Sequence, residues 1–326
     1  FWHFHGYIGM AGNYILMMFY TTVAGWMLKY FFDTAKGDFI GATTSQVKDH
    51  FTYMNSVPSE MIFWTVVVII IGFLVCSLGL QNGVEKISKG MMIALLVIMA
   101  VLAINSIFLK GASKGLYFYL VPDFQQIKNI GLINVLVAAM NQAFFTLSIG
   151  MGSMTIFGSY LSKDHSLLGE SINIVALDTF VAIVSGLIIF PSCFAFGVNP
   201  DQGPSLIFVT LPNIFIKMPG GRIIGSCFFI FMAFAAFSTV IAVFENIMSS
   251  CMDLWGWERK KTALINTILI IIGSIPCVLG FNILSGFHPL GKGTNVMDLE
   301  DFLVSNLILP IGSLIYTLFC TSKYGW

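Results

Sequence analysis

The chain has 326 residues, of which 57% are hydrophobic and 10% charged, and its net charge is zero. Soluble domains carry about 25% charged residues, so most of this chain avoids water, and it has no basic face to offer a nucleic acid. At roughly 20 apolar residues per crossing helix, the length holds about eight spans and leaves no room for a soluble catalytic domain. The expected fold class is therefore an all-α integral membrane protein embedded in a lipid bilayer.

In chain order, charge-free apolar runs predict spans at 7–32, 61–80, 89–109, 133–160, 171–196, 222–252, 262–281 and 301–320. Phe1 opens inside an apolar run with no charged segment before it, so neither a signal peptide nor a natural N-terminus is expected. The intervening loops alternate between long ones (33–60, 110–132, 197–221, 282–300) and short ones (81–88, 161–170, 253–261). The short loops and the C-terminal tail carry Lys86, Lys89, Lys163, Arg259, Lys260, Lys261 and Lys323, which assigns them to the cytoplasm. Segment 199–220 is apolar but broken by prolines and glycines, and reads as an extracellular lid hairpin that dips toward the membrane without crossing it.

Enzyme chemistry finds little support. The string from Gly286 to Gly293 has the spacing of a phosphate loop, yet Gly293 replaces the hydroxyl that would hold magnesium and no strand precedes it. The six cysteines (Cys76, Cys193, Cys227, Cys251, Cys277, Cys320) stand singly in mostly apolar runs and read as small buried hydrophobes. The five histidines are dispersed, with no acidic or cysteine partner at ligand spacing for His3 and His5. No organic cofactor is expected.

The informative residues lie inside the spans. In the fourth, Thr146, Ser148, Gly150, Gly152 and Ser153 crowd the middle of an apolar helix. Paired glycines weaken helical order, so this span either breaks at mid-membrane, exposing carbonyls and amides that can hold a cation and a carboxylate, or packs closely on a neighbour through its small residues. Asp178 sits inside the fifth span, where a carboxylate costs about 2.5–3.5 kcal/mol on insertion scales and calls for a cation or a proton. Ser238 and Thr239 share mid-depth in the sixth, with Glu245 lower; hydroxyls beside carbonyls suit a weakly held sodium ion or serve as ordinary helix contacts. Tyr20, next to Thr21 and Thr22 in the first span, could bond a substrate or a neighbouring helix.

Four strings carry a family resemblance: QAFFTLSIGMGSM in the fourth span, FAAFSTVIAVFE in the sixth, AGNYILMMFYTTVAGW in the first and MDLEDF at the start of the eighth. In that order and with those loop lengths, the whole chain resembles the neurotransmitter:sodium symporters, in particular their bacterial amino-acid-transporting branch. The resemblance implies a leucine-transporter-like inverted-repeat fold with one broken helix in this chain, which corresponds to the third through tenth helices. It further implies that 1–326 is a transporter domain truncated at both ends. The missing N-terminal helices of the same protein are then partners of the site, and the fragment alone is expected to be inactive.

The resemblance also implies roles and two sodium sites. Thr146 and Asp178 match side-chain ligands of the first sodium. The Ala235 carbonyl with the Ser238 and Thr239 hydroxyls matches the second. Tyr20 matches the residue that bonds the substrate carboxylate and Phe145 the aromatic lid. Leu16, Thr146, Ser148, Met151, Thr239 and Val243 match the rest of the substrate pocket. Asp301 corresponds to the extracellular gate, and Asp253 with Tyr160 to the cytoplasmic one. Met151 stands where many relatives carry Phe, and its adaptable thioether points to a hydrophobic or aromatic amino acid. Asp178 replaces a common Asn, which implies chloride-independent symport, because a fixed carboxylate can do the work of the anion. Ile93 replaces a frequent proline. The expected location is the bacterial inner (plasma) membrane. The alternative is a non-transporting receptor, scaffold or truncated remnant of the same fold.

Overall fold

The computed structural model describes residues 2–78, 84–162, 164–197 and 204–322. Of the residues singled out above, Lys163, Lys323 and the 199–203 part of the lid segment lie outside the described residues, as do the side chains of Lys86 and Tyr160. Every regular element among the described residues is helical. The spans expected from hydropathy are α1 (Trp2–Lys36), α3 (Pro58–Leu78), α4 (Val84–Ile107), the pair α7 (Leu132–Thr146) and α8 (Ser153–Tyr160), α9 (Leu167–Phe196), α11 (Gly221–Trp255), α12 (Arg259–Leu279), and α13 (Val296–Phe302) continued by α14 (Leu309–Thr321). Among the described residues six helices are long and apolar enough to cross a membrane, and up to eight if two sharply bent pairs, Met92–Ile107 with Ala112–Leu120 and Phe124–Ile130 with Leu132–Thr146, are each one span.

The long loops hold helices of their own: α2 (Thr44–Ser56), α5 (Ala112–Leu120), α6 (Phe124–Ile130) and α10 (Leu211–Lys217). Two of them, α2 and α6, have locally encoded starts. Thr43 and Gln46 form a capping box at the head of α2, and the Asp123 carboxylate accepts from the amides of Gln125 and Gln126 at the head of α6. A capping box of Asn295 and Asp298 likewise starts α13.

α1 is the centre of the bundle. It packs against α3, α11, α12, α13 and α14, and most extensively against α11. The two run antiparallel: Arg222 at the head of α11 donates to the carbonyl of Ala35 at the tail of α1. α9 by contrast is covered on one side only, by α4, α5 and α10.

The lid segment, where described, is one continuous helical run from Pro204 to Lys217 with a π-helical turn at Leu206–Thr210. An aromatic cluster seats it. Phe208 meets Trp26 at 5.5 Å and Tyr30 at 5.0 Å between ring centroids, and Phe51 of α2 stacks on Phe208 at 5.6 Å. Each such pair adds about 0.5–1.5 kcal/mol to simple burial. Beside it Lys29 pairs with Asp33 at 2.7 Å and Glu60 at 2.9 Å, and His50 bonds the other oxygen of Asp33.

Candidate functional site

The fourth span breaks. The amides of Leu147, Ser148 and Ile149 close α7 by bonding back to the carbonyls of Ala143, Phe145 and Phe144, and α8 restarts at Ser153. Across the gap the backbone turns left-handed at Ser148 (φ 52°), Gly150 (φ 103°) and Gly152 (φ 87°), and Ser148 is the one non-glycine residue with positive φ among the described residues. The cause is double. A glycine pair removes the steric bias toward the right-handed helix, and close packing demands it: a Cβ on Gly150 would collide with the Leu309 carbonyl, and one on Gly312 with the Gly150 carbonyl. The two alternatives for the small residues thus coexist, as a break that is also a close helix contact.

The freed backbone is held from α1. Buried Asn13 donates from Nδ2 to the Met151 carbonyl at 3.0 Å and to its own helix at the Gly9 carbonyl at 2.9 Å. It also accepts from the Ser153 hydroxyl at 3.4 Å. Asn13 was not among the residues expected to matter; the available signal was an amide in an otherwise apolar run, one turn before Leu16. Asn13→Ala leaves the Met151 carbonyl without its donor, and chemical denaturation in detergent is expected to show a loss of about 1–3 kcal/mol.

Beyond the break, α1 and α11 bring several of the expected residues together. Tyr20 of α1 lies beside the side chain of Thr239 on α11. The preceding residue, Ser238, donates from its hydroxyl to the Ala235 carbonyl at 2.7 Å. Ala235, Ser238 and Thr239 are all partly buried and share one turn of α11. Leu16, Met151 and Val243 are buried in the same core, with Phe145 half-buried against it. Ser148 is also half-buried.

Other expected residues stay apart. Thr146 is exposed and bonds back to the Ala143 carbonyl at 3.4 Å. Asp178 is half-buried on α9, and α9 and α7 do not pack substantially against each other, so the structure does not bring these two ligands together. Asp301 is exposed and accepts from the Ser305 hydroxyl at 2.7 Å. Asp253 is exposed in the last turn of α11. Near it buried Glu245 pairs with Arg259, which also donates to the Cys76 carbonyl at 2.9 Å and so ties α11, α12 and α3 together.

An all-helical bundle with one broken helix, flanked by helices carrying hydroxyls and carbonyls, is the architecture of secondary transporters built around discontinuous helices. The sodium:neurotransmitter symporter family model matches residues 35–288. The chain is 33% identical over 322 residues to the sodium-dependent transporter YhdH of Bacillus subtilis, covering 99% of this chain and 70% of that protein. It is 25% identical over 200 residues to a sodium- and chloride-dependent GABA transporter of Drosophila melanogaster, covering 58% of this chain and 21% of that one. Its fold superposes on the crystal structure of MhsT in complex with L-phenylalanine with a TM-score of 0.92 at 36% identity, over 100% of this chain and 72% of that one. The chain belongs to the sodium:neurotransmitter symporter family. It is an integral membrane transporter of the leucine-transporter-like fold that works with sodium, and not an enzyme.

Proposed function

We propose that the protein carrying this chain is a chloride-independent sodium symporter for hydrophobic or aromatic amino acids. The observation that carries this reading is the Ala235, Ser238 and Thr239 turn of α11, packed against the Tyr20-bearing helix α1 beside the broken helix. The L-phenylalanine bound by MhsT supports the substrate class, as do the apolar walls supplied by Leu16, Met151 and Val243.

In this reading the Ser238 hydroxyl turns away from the Ala235 carbonyl so that both oxygens, with Thr239, face a sodium ion. Three oxygens fall short of the roughly six that a hard cation takes, so the second site draws on backbone outside this turn. Tyr20 stands between the two ligands: its hydroxyl reaches the substrate carboxylate, and sodium and substrate bind better together than alone. Thr146 and Asp178 hold the first sodium when α7 and α9 approach. Ser148 lines the pocket and Phe145 closes over it. Asp301 closes the outer entrance, where the lid segment lies, and Asp253 and Tyr160 close the cytoplasmic one. Two sodium ions per cycle follow from the two sites.

The test is uptake of labelled phenylalanine by the full-length protein in proteoliposomes under an inward sodium gradient. Accumulation that collapses when sodium is replaced by choline supports the reading, and accumulation indifferent to sodium ends it. Replacing chloride by gluconate should leave the rate within about twofold, because Asp178 supplies the fixed negative charge. A steep loss in gluconate would remove the chloride-independence claim while leaving sodium coupling intact.

A further inference from the structure

Glu300 stands in an environment that none of the roles above uses. It lies in α13 with 8% of its surface exposed, and its Oε2 is fully buried without a hydrogen-bond partner. The elements packed around it are α1 and α12. From α12 the buried Cys277 thiol lies next to the carboxyl, and Thr22 of α1, whose hydroxyl donates to the Met18 carbonyl at 3.3 Å, lies next to that thiol. On its own helix Asp298 is engaged in the capping box and adds only negative charge.

Cations on the surrounding helices are committed elsewhere. Lys29 and Lys36 of α1 pair with Asp33, Glu60 and Asp38. Arg259 of α12 pairs with Glu245, and Lys261 lies over the Trp257 ring. Lys260 and Lys261 are in the first turn of α12, about 24 Å along the helix from Cys277. On α1, His3 and His5 are a similar distance from Thr22, and His5 packs edge-on against Tyr316. Arg222 at the head of α11 is bound to Ala35. The adjacent Asp301 is exposed, so two consecutive acids of one helix face opposite environments.

An ionised carboxylate buried beside a thiol and a threonine, with one oxygen unbonded, is an uncompensated charge in a medium that cannot solvate it. A neutral carboxylic acid avoids this and can donate its hydrogen to the thiol sulfur. We propose that Glu300 is a proton-binding site of this transporter, loaded while α13 is seated against α1 and α12 and emptied when α13 moves away and water reaches it. Release passes the carboxyl proton to water and leaves the carboxylate; no electrons move. Because Asp301 is the next residue, the outer entrance and the proton share one short helix, and raising the pH favours the unseated arrangement.

The transport arm of this inference rests on the symport reading; the spectroscopic arm does not. Infrared spectra of the purified full-length protein at about pH 7 should contain a protonated-carboxyl band that is missing from Glu300→Gln. If the two spectra do not differ in that band, the proposal is overturned. A band that vanishes on adding sodium at constant pH overturns it as well, because the site then holds a metal ion. Sodium-driven phenylalanine uptake measured from about pH 6 to about pH 9 should change by up to about tenfold per pH unit in the wild type and run flat in Glu300→Gln. Superimposable profiles overturn the linkage to α13. If Glu300→Gln does not fold, Glu300→Asp keeps an acid, and its profile should be displaced along the pH axis; an unmoved profile overturns the proposal. A carboxyl band without any sodium-driven uptake supports the proton site and removes the symport reading instead.

Discussion

Gly150→Ala is expected to abolish uptake and to lower the yield of folded protein in detergent, a larger effect than any surface substitution. Two costs add at this position. Gly150 has φ 103°, where an L residue is strained by about 1–3 kcal/mol. Its Cβ would also lie against the Leu309 carbonyl and within 2.9 Å of the Ser313 amide, both backbone atoms of a packed helix that cannot rotate aside. Overpacking of that kind adds about 1–3 kcal/mol. Size-exclusion profiles and thermal melts should therefore show destabilisation along with the lost transport. Gly158, on the same broken span, provides the contrast, because a Cβ there meets nothing within 4 Å. Gly158→Ala should melt at or above the wild-type temperature, and equal melting of wild type and Gly150→Ala would contradict the role assigned to the break.

Ser238→Ala and Asp178→Ala should each reduce sodium-driven uptake by at least about tenfold, the factor that corresponds to about 1.4 kcal/mol of lost coupling. The two should differ in kind. Ser238→Ala removes one oxygen from a turn where the hydroxyl and the Ala235 carbonyl are already 2.7 Å apart, so the apparent sodium affinity falls and high sodium restores part of the rate. Asp178→Ala removes charge as well as a ligand. Its uptake should become sensitive to chloride, because a free anion can take the place of the lost carboxylate. Sodium titrations of uptake in chloride and in gluconate separate these outcomes. A Ser238→Ala protein with unchanged sodium dependence would detach the Ala235, Ser238 and Thr239 turn from the ion.

Much of this architecture was legible along the chain because bilayer thickness imposes a length on every span and hydropathy reports it directly. The break between Thr146 and Ser153 was legible for a related reason: glycine pairs in an apolar helix are a local signal. Asp178, the Ser238 and Thr239 pair, and Tyr20 stand out along the chain as well, since a polar group is conspicuous where almost nothing else is polar. The helices inside the long loops were less visible. α2, α5, α6 and α10 are short, and their stability comes from caps and from partners far away in sequence, such as Trp26 and Tyr30 for the lid segment.

What the order of residues settles here is the class: eight apolar stretches, one of them interrupted, in a membrane transporter of a recognisable family. Three-dimensional packing decides which groups meet. Asn13 and Met151 are joined across 138 positions, and Gly150 touches Gly312 only because α14 crosses the break. The same holds for the carboxylates. Asp178 announced itself by lying deep in a span, yet among the described residues Glu300, placed at a span's edge among other acids, is the carboxylate sealed from water with an oxygen unbonded. Hydropathy is a one-dimensional average over neighbours in sequence, whereas the energy of a buried polar group depends on the atoms that surround it in space.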